Sequence, residues 1–291
     1  MERSAASDRD ALPAFELALD EQVCDAVHRE SWGRLLLTPS LPLIWDANRV
    51  DIEEVGMGLD QVVAIADDAL GGEGLGHRTI CVPDEADGKR LGADLEAEAA
   101  RWPRWEVERT RYMLWRGKVD APAANHADPP PVSSHLSGTI RDNCELTLDR
   151  GVREVGLAEI ADLRRALIAE STPRGVDDFE ATVEQLLELD RRYGVAAGDR
   201  WFVAPAEGEP MSACRLLRGG AIAQVEEVGT LAPARERGYA KATVRAAVSA
   251  AQAEGDATIF VTADAADWPQ LMYAKLGFEA VGVLTILRRP P

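Results

Sequence analysis

Residues Gln224–Glu254 read Q-V-E-E-V-G-T-L-A-P-A-R-E-R-G-Y-A-K-A-T-V-R-A-A-V-S-A-A-Q-A-E. Val225, Val228 and Leu231 suit a buried strand, and Pro233, which has no N–H to give to a ladder, ends it. From Arg237 to Glu254 proline is absent, Gly238 is the only glycine and alanine dominates, so a long helix follows. Between strand and helix lies a turn carrying Arg235, Arg237 and Gly238. Glycine lets the backbone approach a ligand closely, and the open N–H groups of a helix's first turn attract an anion. The helix dipole adds roughly 0.3–1 kcal/mol per favourable charge. The element is built like a phosphate cradle, although a surface turn with two solvated arginines has the same composition.

Working outward, Ala257–Thr262 (A-T-I-F-V-T) reads as a buried strand. Asp267 is a plausible N-cap for a short helix through Lys275, with Pro269 in its first turn and Gly277 as its stop. Phe278–Arg288 is the final strand. Upstream, Arg200–Ala204, Met211–Leu217 and Ala221–Leu231 read as successive strands joined by glycine turns. Leu157–Ser171 and Asp177–Arg192 read as helices, and Cys144–Leu148 and Arg153–Val155 as short strands. The order R-x-x-G-x-A (Arg235, Gly238, Ala240), followed by L-M-Y-A-K-L-G-F (Leu271–Phe278), resembles the two signatures of the GNAT acyltransferase superfamily. The resemblance covers residues 150–288.

That resemblance implies an α/β fold with a mixed sheet and acetyl-CoA, or another acyl-CoA, as donor. It implies that the strand before the turn splays from its neighbour, so that Val228, Gly229 and Thr230 hold the pantetheine arm. The turn Arg235, Glu236, Arg237, Gly238, Tyr239 and Ala240 would hold the pyrophosphate, with Lys241 nearby. It further implies that Tyr273 protonates the leaving thiolate, a sensible task for a phenol at neutral pH. A packing aromatic on a short helix is the plainer reading of that tyrosine. Glu226 or Glu227 is the candidate base. Adjacent residues of a regular strand point to opposite faces, so at most one faces the acyl group, and both also read as surface carboxylates. Trp268 and Asp264 are candidates for the far end of the donor site, with the core as the alternative for Trp268.

In the first half, residues 1–12 are polar and read as frayed. Phe15, Leu19, Val23 and Val27 recur every four residues and predict a helix over Pro13–Ser31, with His28 near its end. Arg34–Thr38 reads as a strand, and Leu41–Asn48 as an apolar loop in which Trp45 packs or walls a pocket. Leu59–Leu70 reads as a helix. The glycines at 71, 72, 74 and 76 follow a helix and precede a strand, the wrong order for a dinucleotide loop. His77–Val82 reads as a strand, Asp84–Arg101 as a helix, and Arg104–Arg109 and Arg111–Arg116 as two strands. The same order of elements near the C-terminus suggests a degenerate copy of the fold, without a second R-x-x-G-x-A turn. The expected organisation is an N-terminal α/β domain at 1–116, a proline-rich linker at 117–138 and an acetyltransferase domain at 139–291. His126 and His135 in the linker read as solvated.

Composition bounds the rest. The chain of 291 residues carries a net charge of −18 and is 46% hydrophobic. Such an acidic chain argues against nucleic acid or an anionic membrane as partner and suits an amine or cationic substrate. Cys24, Cys81, Cys144 and Cys214 lie far apart without C-x-x-C and read as reduced, buried thiols, not as metal ligands. No metal site, nucleophile elbow or catalytic triad is legible. No signal-like or membrane-length apolar run appears, so a cytoplasmic protein is expected. The function implied is N-acetyl transfer from acetyl-CoA to a small-molecule or peptide amine by direct attack, in a monomer or homodimer. An acyl-CoA-binding regulator without turnover, or a noncatalytic scaffold, uses the same features.

Overall fold

The computed structural model describes residues 5–117, 151–172 and 178–291. Seven α-helices and eleven strands appear there. In chain order they are α1 (Ala5–Val23), β1 (Ala26–Glu30), β2 (Gly33–Leu37), β3 (Arg49–Ile52), α2 (Leu59–Gly72), β4 (Arg78–Val82), α3 (Glu85–Ala97) and β5 (Glu106–Trp115). Then come β6 (Arg153–Val155), α4 (Ala161–Ser171), α5 (Phe179–Ala197), β7 (Trp201–Ala206), β8 (Glu209–Gly219) and β9 (Ile222–Thr230). The chain ends with α6 (Tyr239–Ala253), β10 (Thr258–Asp264), α7 (Pro269–Lys275) and β11 (Phe278–Arg289). The expected linker at 117–138 and the strand at Cys144–Leu148 lie almost wholly outside the described residues.

The strands form one sheet in the order β1-β2-β3-β4-β11-β5-β10-β9-β8-β7-β6. Only β3–β4 and β9–β10 pair in parallel; the other neighbours are antiparallel. The order is near-symmetric about the β5–β11 pair. On each side two antiparallel neighbours lead to a parallel pair bridged by a helix, α2 or α6. A second helix, α3 or α7, then leads to a strand that crosses over. Thus β5 lies between β10 and β11, and β11 lies between β4 and β5. The mixed α/β sheet and the repeated order are as expected.

Side-chain alternation assigns the layers. Val225, Val261 and Phe278 pack with Val244, Val248 and Met272 under α6 and α7. Val50, Ile80 and Leu287 pack with Leu70 and Leu91 under α2 and α3. On the opposite face, Leu12, Phe15 and Leu19 of α1 pack on Tyr112, Phe260 and Leu217. Leu163 and Leu167 of α4 pack on Trp201 and Ala213. Each fully buried aliphatic or aromatic side chain contributes roughly 1.5–3 kcal/mol.

Several boundaries differ from expectation. The first helix starts at Ala5, not at Pro13, and ends at Val23; residues 26–30, including His28, are a strand paired with β2. The four-residue apolar spacing ran past the helix end because Val27 occupies a half-buried strand position. Strand β3 is a four-residue element with no pattern long enough to read. Residues 106–115 form one strand, not two, because β11 pairs with it from Glu106 to Trp115, across the expected break at Thr110. Helix α3 stops at Ala97, short of Arg101. Trp268, not Asp267, is the N-cap of α7.

Candidate active site

The parallel ladder of β9 and β10 runs only from Ile222–Thr258 to Val225–Val261. Beyond it, β9 continues to Thr230 on β8 alone and β10 continues to Asp264 on β5 alone. The two strands part, as the resemblance implied, and among the described residues the edge of β9 from Glu226 to Thr230 has no ladder partner on that side.

At the parting point β9 is bulged. Ala213 faces Gly229 and Arg215 faces Glu226, so Glu227 and Val228 stand opposite the single Cys214. Glu227 has φ 53°, a left-handed conformation that costs a non-glycine residue roughly 1–2 kcal/mol. The bulge restores Val228 to the α6 face with Val225, three residues away. It also overturns the expectation that Glu226 and Glu227 diverge, since both carboxylates enter one arginine network on the α4–α5 side. Arg215 Nη2 donates to Glu226 Oε2 at 2.8 Å, and Arg164 Nη1 lies 2.7 Å from Glu227 Oε2. Asp190 of α5 joins the two arginines, accepting from Arg164 Nε at 2.7 Å and Arg215 Nη1 at 2.9 Å. Neither glutamate is a free surface carboxylate. Burial pushes the Glu227 carboxyl up, but Arg164 and Arg215 outweigh it and hold the group below the usual range. Burial dominates at Glu226, whose carboxyl is raised despite Arg215.

The turn after β9 has the geometry of a cradle. Glu236 has φ 59° and Gly238 φ 82°, and Gly238 is the N-cap of α6. Its N-cap, Gly238, has no side chain to cap the helix, and no acidic residue lies in the first turn. Ala240 and Lys241 are in that turn. The basic residues are less available than the sequence suggested. Arg235 Nη2 donates to Glu170 at 2.6 Å, and its Nε to the Thr230 carbonyl at 2.9 Å. Arg237 is exposed and lies over the Tyr239 ring at 5.5 Å. Tyr239 is buried beneath Ala204, Ala206 and Ala234. Gly229 owes its identity to packing, since a Cβ there would stand 2.9 Å from Leu167 Cδ2.

The corresponding helix α2 is closed to anions. Asp60 lies in its first turn, and Gln61 Oε1 accepts from the Gly58 N–H at 2.9 Å.

Tyr273 sits on the α6–α7 face, buried, with its ring 5.9 Å from Phe278. Burial, then the Cys214 thiol and Glu227, push its hydroxyl well above the usual phenol range, so it is protonated at neutral pH. Among the described residues that hydroxyl has no hydrogen-bond partner. Trp268 is 64% exposed, which removes the core alternative, and Asp264 Oδ1 caps its own loop at the Ala266 N–H. Cys81 and Cys214 are buried and free; Cys24 is half-buried.

On the other face, between α1 and the sheet centre, a cavity of about 1200 Å³ reaches Glu226 and Thr262, the first residues past the end of the β9–β10 ladder. The sequence reading missed its key side chain, Glu16 of α1. Gln224 Nε2 donates to Glu16 and, at 2.8 Å, to Glu226 Oε1, while Tyr112 Oη donates to Glu16 Oε2 at 2.5 Å. Burial raises the Glu16 carboxyl to about 8, against the pull of the Tyr112 hydrogen bond. The available signal was a carboxylate flanking Phe15 and Leu19 on an apolar helix face. No group of side chains suited to a metal ion occurs among the described residues, and no described helix is long and apolar enough to cross a membrane.

Residues 163–278 match the acetyltransferase (GNAT) family model. A search of curated protein sequences finds no significant match. Among solved structures, the chain is similar to a functionally unknown conserved protein from Staphylococcus epidermidis, at 12% identity and a TM-score of 0.62, covering 91% of this chain and 94% of that one. It is also similar to a GCN5-related N-acetyltransferase from Kribbella flavida, at 14% identity and a TM-score of 0.54, covering 98% and 96%. At such identities these two similarities carry the fold, and the family match supports acyl transfer in general. The parted strands, the uncapped glycine turn and the tyrosine segment thus belong to one unit, and residues 163–278 are a domain of the acetyltransferase (GNAT) family.

Proposed function

We propose that this protein is a cytoplasmic N-acetyltransferase that moves an acetyl group from acetyl-CoA directly to an amine. The observation that carries the reading is the junction of two features. The open edge of β9 past Val225 runs into the uncapped, acid-free first turn of α6 at Gly238. The residues that would hold the donor are Val228, Gly229 and Thr230 along the edge, and Arg235, Glu236, Arg237, Gly238, Tyr239, Ala240 and Lys241 at the turn. Backbone amides do this work, because Arg235 is engaged by Glu170. Acetyl-CoA supplies the acyl group as a thioester. Tyr273 gives its hydroxyl proton to the departing sulfur as the carbon–sulfur bond breaks and the carbon–nitrogen bond forms. Glu226 accepts the proton lost by the amine nitrogen; it lines the cavity at the parting point and is raised by burial. Glu227, held by Arg164, positions the bulge.

Calorimetric titration with acetyl-CoA, on wild type and Gly238→Glu, tests this. The added carboxylate should block the turn, so binding by wild type and its loss in the variant are expected. Thiol release with an amine panel then separates an enzyme from a regulator that only binds. Absence of binding by folded wild type overturns the proposal.

A further inference from the structure

The inference here rests on the acyltransferase reading and concerns its acceptor. We propose that the cavity between α1 and the sheet is the acceptor site and that it takes a linear aliphatic amine carrying two or more positive charges.

Three observations carry this. The first is position. Glu226 of β9 and Thr262 of β10 line the cavity where the two strands part, so it opens onto the place where the acyl group is expected. From β9 it extends across β10, β5, β11 and β4 to Asp51 of β3. Five strand spacings make a trough of about 24 Å, long enough for an extended chain.

The second is charge. Ten carboxyl groups line the cavity against four cationic side chains, and burial keeps one of the ten, Glu16, neutral below about pH 8. The central arginines are shared: Arg49 pairs with both Asp20 and Asp51, and Arg288 with both Asp46 and Glu108. Each cluster therefore keeps one negative charge after pairing. Leu17, Leu36, Leu284 and Ile286 lie among them. Charged points separated by aliphatic wall match nitrogens separated by methylenes.

The third is an unfilled acceptor. Gln224 is 1% exposed, lines the cavity, and among the described residues its Oε1 has no hydrogen-bond partner. Its Nε2 donates to Glu16 and, at 2.8 Å, to Glu226 Oε1, and this hydrogen-bond pattern assigns the amide's orientation. A buried amide oxygen without a partner forgoes the hydrogen bond it would make in water. A ligand N–H donor recovers it, whereas an anionic or purely apolar ligand does not.

Calorimetry with spermidine as a linear triamine probe tests the proposal. Glycine and glucosamine serve as comparison amines, and acetyl-CoA is titrated in parallel. Wild type should bind spermidine and neither comparison amine. Asp46→Asn, which removes the charge that the Arg288 cluster keeps, should weaken spermidine about tenfold, and Asp10→Asn, at the exposed rim, about threefold. Acetyl-CoA affinity should be the same in all three proteins. If acetyl-CoA binds and spermidine does not, or if both variants bind spermidine as tightly as wild type, the acceptor assignment is wrong while the acyltransferase reading stands. If folded wild type fails to bind acetyl-CoA, the reading beneath the assignment falls, whatever spermidine does.

Discussion

Arg164 Nη1 lies 2.7 Å from Glu227 Oε2, and through this pair helix α4 holds the bulge at which β9 leaves β10. A left-handed glutamate persists only where its surroundings over-determine it. Here the surroundings are two guanidinium groups that are themselves locked by Asp190.

Asp190→Ala should therefore be severe. It leaves Arg164 and Arg215 buried with their shared carboxylate gone, a change that costs roughly 3–5 kcal/mol. Glu227→Gln should cost about 1 kcal/mol or less, because that side chain remains 37% exposed. Urea unfolding of the two variants measures the contrast. Equal, small effects would mean that the network does not support the bulge.

Tyr273→Phe separates chemistry from packing. The ring contact with Phe278 survives, and among the described residues the lost hydroxyl leaves no partner behind. Melting temperature and acetyl-CoA affinity should stay at wild-type values while kcat falls about 10²–10⁴-fold. Full activity in this variant would remove Tyr273 from the acid's role.

The Glu16 carboxyl, raised to about 8, makes a pH prediction with a definite sign. The groups facing it are Tyr112 and Gln224, which hydrogen-bond it, and Glu226 and Asp20, which raise it further. Its folded value lies above its unfolded value of 4.5. The associated stability is thus fully present below about pH 4.5 and declines until pH passes about 8. Between pH 6 and 9 wild type should lose on the order of 2 kcal/mol more than Glu16→Gln does. Chemical denaturation at both pH values checks this; parallel losses would mean that Glu16 ionises normally.

Gly229→Ala should destabilise by about 1–3 kcal/mol, since its methyl would stand 2.9 Å from Leu167 Cδ2 in a packed interface. Leu167→Val should recover part of that loss when combined with it. Additive losses in a double-mutant cycle would show that the two residues do not compete for the same space.

Much of the fold was legible because it is local. The strand, turn and helix around Gly238 follow from proline, glycine and alanine placement, and α7 with its Gly277 stop from the same rules. The strand order was not legible, because insertion of β5 between β10 and β11 depends on partners more than a hundred positions away. The bulge left one trace, the apolar pair Val225 and Val228 at an odd spacing, which a regular strand cannot bury on one face. The arginine network left none, because Arg164, Asp190 and Arg215 each sit inside an element read for its apolar stripe alone. Glu16 escaped for the same reason.

The exchange of β5 and β11 has a consequence for how the chain is made. Strand β4 has β11 as its neighbour toward the sheet centre, and β11 is the last of the described strands in chain order. Emerging from the ribosome, the first hundred or so residues lack the strand that completes their sheet, and β5 waits with both edges unmet. The native sheet can close only once β11 has joined it, so the N-terminal strands cannot complete their half before the C-terminal strands are present.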